Sequence, residues 1–150
     1  LFLTSMPYKI HRYKTYIKDI QTIMGDISKR IESIASEKKV IASYHPSIKV
    51  FADEFNIRYV DLRIKDVDDQ KIKEKVKKIK ENLIKTIITI DGVDSSYIDE
   101  VVKFVLEEGE VIKLTEPVHS LRLGSKESNI GTYKKLMVLN SDTIIDGMKN

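Results

Sequence analysis

The 150-residue sequence contains no cysteine and no tryptophan. Without thiols there are no disulfides, zinc knuckles or thiol chemistry, so any metal site has to be assembled from histidine and carboxylates. Charge of a single sign is also missing: 26 basic residues stand against 23 acidic ones, interspersed along the chain, for a net charge of +3. Nucleic-acid binding, which needs a coherent basic face, is not expected. No apolar run approaches the roughly 20 residues that span a membrane, and no secretory signal is visible. The chain opens on Leu1 rather than Met, which leads to the expectation of a piece of something longer and leaves the missing signal little weight. With only six glycines, there is neither a G-x-G-x-x-G nor a G-x-x-x-x-G-K-[ST] loop. Dinucleotide and nucleotide sites are thereby disfavoured. A G-x-S-x-G nucleophile elbow is absent as well.

What is present is a regular alternation of apolar patterns. Ile10, Tyr13, Ile17, Ile20, Met24, Ile27, Ile31 and Ile34 recur at alternating steps of three and four, which predicts a long helix over residues 8–36. At 1.5 Å per residue it spans on the order of 40 Å, more than one small sheet needs. Such a helix is either a self-associating, coiled-coil-like arm or a rod joining two lobes. Residues 1–7 read as the tail of an element. Strands follow at 40–44, 57–62, 86–90 and 110–115, each with a helix after it: from Pro46, over 69–83, from Ser95 or Ser96 to Gly109, and over 131–148. A polar loop occupies 121–130. Strand and helix alternating four times is the pattern of a parallel sheet with right-handed crossovers and helices on both faces. The expected fold is α/β, a long N-terminal helix (1–37) and an α/β lobe (38–150).

Two of the three prolines, Pro46 and Pro117, follow a metal-competent residue at the end of an apolar run. Pro46 suits the first position of a helix and holds His45 in extended geometry, placing its imidazole at a strand's carboxyl end, over a helix N-terminus. Glu116-Pro117 closes the fourth strand in the same way. Carboxyl ends of parallel strands converge, so His45, Asp61, Asp91, Glu116 and His119 gather at the edge where ligands bind in open α/β sheets. Such a set suits half of a zinc or manganese site, or an acid/base pair, and equally a histidine that merely caps a helix.

The run Ser43-Tyr44-His45-Pro46 through Phe51-Ala52 and Phe55 to Ile57 resembles the segment that opens the C-terminal lobe of the zinc/manganese solute-binding proteins of ABC transporters. In that family a strand ends in His-Pro-x-aromatic, followed by Phe-Ala and an aromatic. Ile87-Ile88-Thr89 resembles its buried third strand. Leu114-Thr115-Glu116-Pro117-Val118 stands where the family has an Asp-Pro-Leu or Asp-Ser-Leu turn, and Thr132-Tyr133, Leu136-Met137 and Asn140 resemble its closing helix. The long helix is similar to the rigid backbone helix that joins the two lobes.

The resemblance implies a Rossmann-like half of a two-lobe periplasmic-type binding protein. It would be non-enzymatic and extracytoplasmic, and would deliver zinc, or less readily manganese, to a membrane permease. Two of the family's four metal ligands would fall on His45 and Glu116, facing one cleft, with His119 as a further candidate. The N-lobe histidines have no counterpart, because His11 lies inside the long helix; a missing N-terminal lobe is the corresponding expectation. The reading from another class is an interaction module that self-associates through the long helix.

Overall fold

The computed structural model describes residues 2–119 and 132–150, with side chains from residue 9 onward. Its first element, α1 (Phe2–Glu32), is one unbroken helix of 31 residues. It starts earlier than the periodicity predicts and includes Pro7, whose missing N–H leaves only the Leu3 carbonyl without its helical partner. It also stops sooner, and Ser36–Lys38 forms a single 3-10 turn before the first strand. From there the alternation is as expected: β1 (Val40–Ser43), α2 (Pro46–Glu54), β2 (Arg58–Asp61), α3 (Asp69–Glu81), β3 (Thr86–Ile88), α4 (Ser96–Glu107), β4 (Lys113–Leu114) and α5 (Tyr133–Lys149). The polar loop expected over 121–130 lies outside the described residues.

All strand pairs are parallel, in the order β2-β1-β3-β4. Each face is covered by its own helices, as side-chain alternation along the strands requires. Ile41 of β1 and Ile88 of β3 pack under α1, α2 and α5, where Ile31, Ile48 and Ile145 are buried. Ala42 and Ile87, one residue away, face α3 and α4, with Ile72, Val76, Ile98 and Val101 buried against them. Where α5 crosses the sheet, Gly147 permits close approach: a Cβ there would lie 3.2 Å from Ile88 Cδ1 and 3.3 Å from methyls of Thr86 and Thr115.

The fourth strand departs from expectation in a way that matters for the site. Only Lys113–Leu114 is regular strand, and the chain bulges outward at Glu116-Pro117. The bulge is held by the Thr115 hydroxyl, which accepts from the Thr89 amide at 3.1 Å, while the Thr89 hydroxyl donates to the Thr115 carbonyl at 2.9 Å. Pairing then resumes: the Val118 amide donates to the Thr89 carbonyl at 2.8 Å and the Asp91 amide to the Val118 carbonyl at 3.0 Å. Glu116-Pro117 therefore does not close this strand. On an edge strand a proline with no N–H to offer costs little, and the sheet's carboxyl edge is reached only at His119.

Candidate metal site

In a 2-1-3-4 order, the chain leaves β1 to one side and β3 to the other, so the crevice of the sheet opens between their carboxyl ends. His45 follows β1, and Asp91 follows β3 after the Ile90–Val118 bridge that brings His119 alongside. Hydroxyl groups tie these ends together. Ser43 Oγ donates to the Ile88 carbonyl at 2.7 Å, and the Tyr44 hydroxyl accepts from the Ile90 amide at 3.1 Å. The Tyr59 hydroxyl donates to the Ser43 carbonyl at 3.1 Å and lies 3.4 Å from that of His45.

His45 has the extended backbone that the following proline imposes (φ −129°, ψ 136°) and is the N-cap of α2. Its ring does the capping: Nδ1 accepts from the Ser47 amide at 3.2 Å and lies 2.7 Å from Ser47 Oγ. Pro46 offers no amide, so Ser47 carries the first backbone donor of the helix.

His119 is held at both ends. The Asn140 side chain of α5 grips its backbone in two places, Oδ1 accepting from its amide at 2.9 Å and Nδ2 donating to its carbonyl at 2.7 Å. Its ring nitrogen Nδ1 lies 3.0 Å from Asp91 Oδ2, both side chains being about one-third exposed. A carboxylate on Nδ1 fixes the tautomer and makes Nε2 the atom able to ligate, the arrangement common around zinc-bound imidazole. His119 and Asn140 share with Ser47, Met24, Phe51 and Phe55 a largely apolar cleft of about 420 Å³ between α1, α2 and α5.

The other edge carboxylates are placed differently. Asp61 is engaged by Arg63, whose guanidinium donates to both carboxylate oxygens at 2.6 to 3.0 Å. Partial burial pushes the Asp61 pKa up, but the bonds from Arg63 and the charges of Arg63 and Lys75 outweigh it and hold the carboxyl below its usual range. Glu116, displaced outward by the bulge, is exposed and lines a separate depression with Thr86, Lys113, Asp146, Gly147 and Asn150. The structure thus brings His119, rather than Glu116, to the edge beside Asp91 and into the cleft that Ser47 of the His45 cap also lines. Among the described residues no three His, Cys, Asp or Glu side chains cluster closely enough to enclose a metal ion.

Sequence reasoning assigned no role to Ser47, Tyr59 or Asn140.

Comparison with known proteins bears on the fold and the family. Solved structures share the fold: the periplasmic zinc-binding protein TroA from Treponema pallidum superposes with a TM-score of 0.83 at 16% identity, over 97% of this chain and 54% of that one. A manganese-bound variant of the periplasmic metal-binding protein from Candidatus Liberibacter asiaticus gives 0.78 at 14% identity, over 97% and 53%. The manganese-binding lipoprotein MntA of Bacillus subtilis is 24% identical over 140 residues, 91% of this chain but only 46% of the relative. The chain therefore spans about half the length of the proteins it matches. A sequence profile of the family described as zinc-uptake complex component A, periplasmic, matches residues 8–147. The resemblance seen in the sequence is borne out, and the chain belongs to this zinc-uptake component A family.

Proposed function

We propose that this chain is the C-terminal lobe (38–150), together with the joining helix (1–37), of an extracytoplasmic solute-binding protein that delivers zinc to an ABC permease. Its work is binding and release, without covalent chemistry. The observation that carries the reading is the pair of imidazoles at the sheet's switch point, His45 and His119, each with Nδ1 engaged by a neighbour, so that a cation would be met by Nε2. Nitrogen donors favour zinc over manganese, whose sites are richer in oxygen. Similar proteins that bind zinc, manganese and cadmium lend support to a divalent cargo. Glu116 of the expected ligand pair gives way to His119, because the bulge turns it towards another depression. Two protein nitrogens fall short of the three or four that zinc sites use, so the remaining ligands belong to a second lobe.

The test is zinc titration followed by NMR of the histidine rings. His45→Ala and His119→Ala should each lower zinc affinity at least roughly tenfold, the scale on which zinc-site groups act. Glu116→Ala should leave it unchanged. A loss of binding in Glu116→Ala with none in His119→Ala would return the ligand to position 116.

A further inference from the structure

Cap and ligand are conflicting tasks for the His45 ring. A backbone amide can only donate, so the Ser47 N–H at 3.2 Å requires an unprotonated Nδ1, and the hydrogen of the neutral ring then sits on Nε2. Zinc at Nε2 requires the opposite tautomer, with the hydrogen on Nδ1. In that state the Ser47 amide faces another N–H and the cap bond is lost. One atom at hand serves both tautomers: Ser47 Oγ, 2.7 Å from Nδ1, donates to a bare nitrogen and, after rotating its hydrogen away, accepts from a protonated one.

We propose that Ser47 is a positioning residue for metal capture, its hydroxyl exchanging donor for acceptor as the His45 ring changes tautomer on binding a divalent cation. The inference rests on the reading of His45 as a zinc ligand. The proton balance is neutral: one hydrogen leaves Nε2 and one arrives at Nδ1 through solvent, so the ring stays uncharged throughout. Metal loading is thereby coupled to the N-terminus of α2, which gives up its side-chain cap as the ion arrives. Because Phe51 of α2 and Phe55 at its C-cap line the same cleft as His119, the coupled element forms one wall of that cleft.

The experiment is nitrogen NMR of the histidine rings of the whole chain, with and without zinc, alongside zinc titration of Ser47→Ala and Ser47→Thr. Without metal, His45 should show a bare Nδ1 and a protonated Nε2; with zinc, a protonated, hydrogen-bonded Nδ1 and a metal-bound Nε2. Ser47→Ala should weaken zinc binding on the order of tenfold, as loss of a partner to a ligating histidine does, and Ser47→Thr should restore it. The failures are distinguishable. Ring signals of His45 that ignore zinc would remove the zinc site itself. Zinc found on Nδ1, or Ser47→Ala binding as tightly as the parent, would overturn the switch while leaving His45 a ligand.

Discussion

Tyr59 shows what one half-buried phenol does for a site it does not enter. Its hydroxyl donates to the carbonyl of Ser43, at the end of the strand that carries His45. Burial, reinforced by the charge of Asp61 and by Tyr97 and opposed by Arg63, pushes its pKa up to about 12 from the ordinary 10.0. The phenol is therefore harder to ionise folded than unfolded. Its contribution to stability is complete below pH 10, where both states hold the proton. That contribution is lost as pH climbs from about 10 to about 12, where only the unfolded chain has released it. Melting temperatures taken at stepped pH should fall across this window, and the fall should be shallower in Tyr59→Phe, which has no proton to lose. Equal slopes would show that the Tyr59 hydroxyl does not couple to stability through its titration.

Three helices end in one device. After α2, α3 and α4 the chain turns through a residue of positive φ, Asn56 (53°), Leu83 (55°) and Gly109 (81°). The next amide then reaches back: Ile57 to Ala52, Ile84 to Ile79 and Glu110 to Val105, at 2.8, 3.0 and 3.2 Å. These are Schellman motifs. Asn and Gly accept the left-handed conformation readily, whereas leucine strains in it by roughly 1 to 2 kcal/mol, and the Leu83 side chain is exposed and offers little packing in return. Leu83→Gly should stabilise the protein by about 1 kcal/mol, the strain relieved less the extra freedom glycine gives the unfolded chain. A urea midpoint that rises at unchanged slope would confirm it; a lower midpoint would mean that the leucine contributes more than it strains.

The same three ends show what was legible in the sequence. Gly109 marks its helix end by composition alone, and His45 before proline marks the start of α2. Leu83 marks nothing, because its backbone is dictated by the need to feed Ile84 into the core. The bulge at Glu116-Pro117 was misread for a related reason. Proline ends most strands, but this one lies on an edge where pairing skips it and resumes at Val118 through hydroxyl contacts between Thr89 and Thr115. Local pattern thus located the strand, and tertiary pairing decided which residue lies at its end.

At the scale of the molecule, α1 is two helices in function. The even apolar stripe of the sequence divides after folding: Ile27, Ile31 and Ile34 are 3 to 6% exposed within the core, while Ile10, Tyr13 and Ile17 are 36 to 66% exposed. Periodicity could not reveal this, since both halves carry the same pattern. Ile31→Ala should cost about 2 to 5 kcal/mol, as core truncations do, and Ile17→Ser should fall within about 0.5 kcal/mol of the parent, as exposed positions do. Comparable losses at both positions in urea unfolding would mean that the first half is packed in solution, as when two copies associate.

The donor count leads to the last expectation. On the proposed ligand pair, two imidazoles, with Asp91 turned to His119, would leave a bound zinc ion to complete its shell with water, and zinc sites that hold firmly use three or four protein groups. The chain alone should therefore bind zinc feebly in calorimetry, with no tight one-to-one step. Linkage gives an independent measure, because a ligand at a concentration equal to its dissociation constant stabilises the folded state by only about 0.4 kcal/mol, and one at a hundredfold excess by about 2.7 kcal/mol. Trace zinc should leave the melting temperature of the isolated chain unmoved, and a large excess should raise it by a few degrees, an increase that His45→Ala and His119→Ala both abolish. A strong rise at trace zinc would mean that this half of the family's length already closes a site of its own.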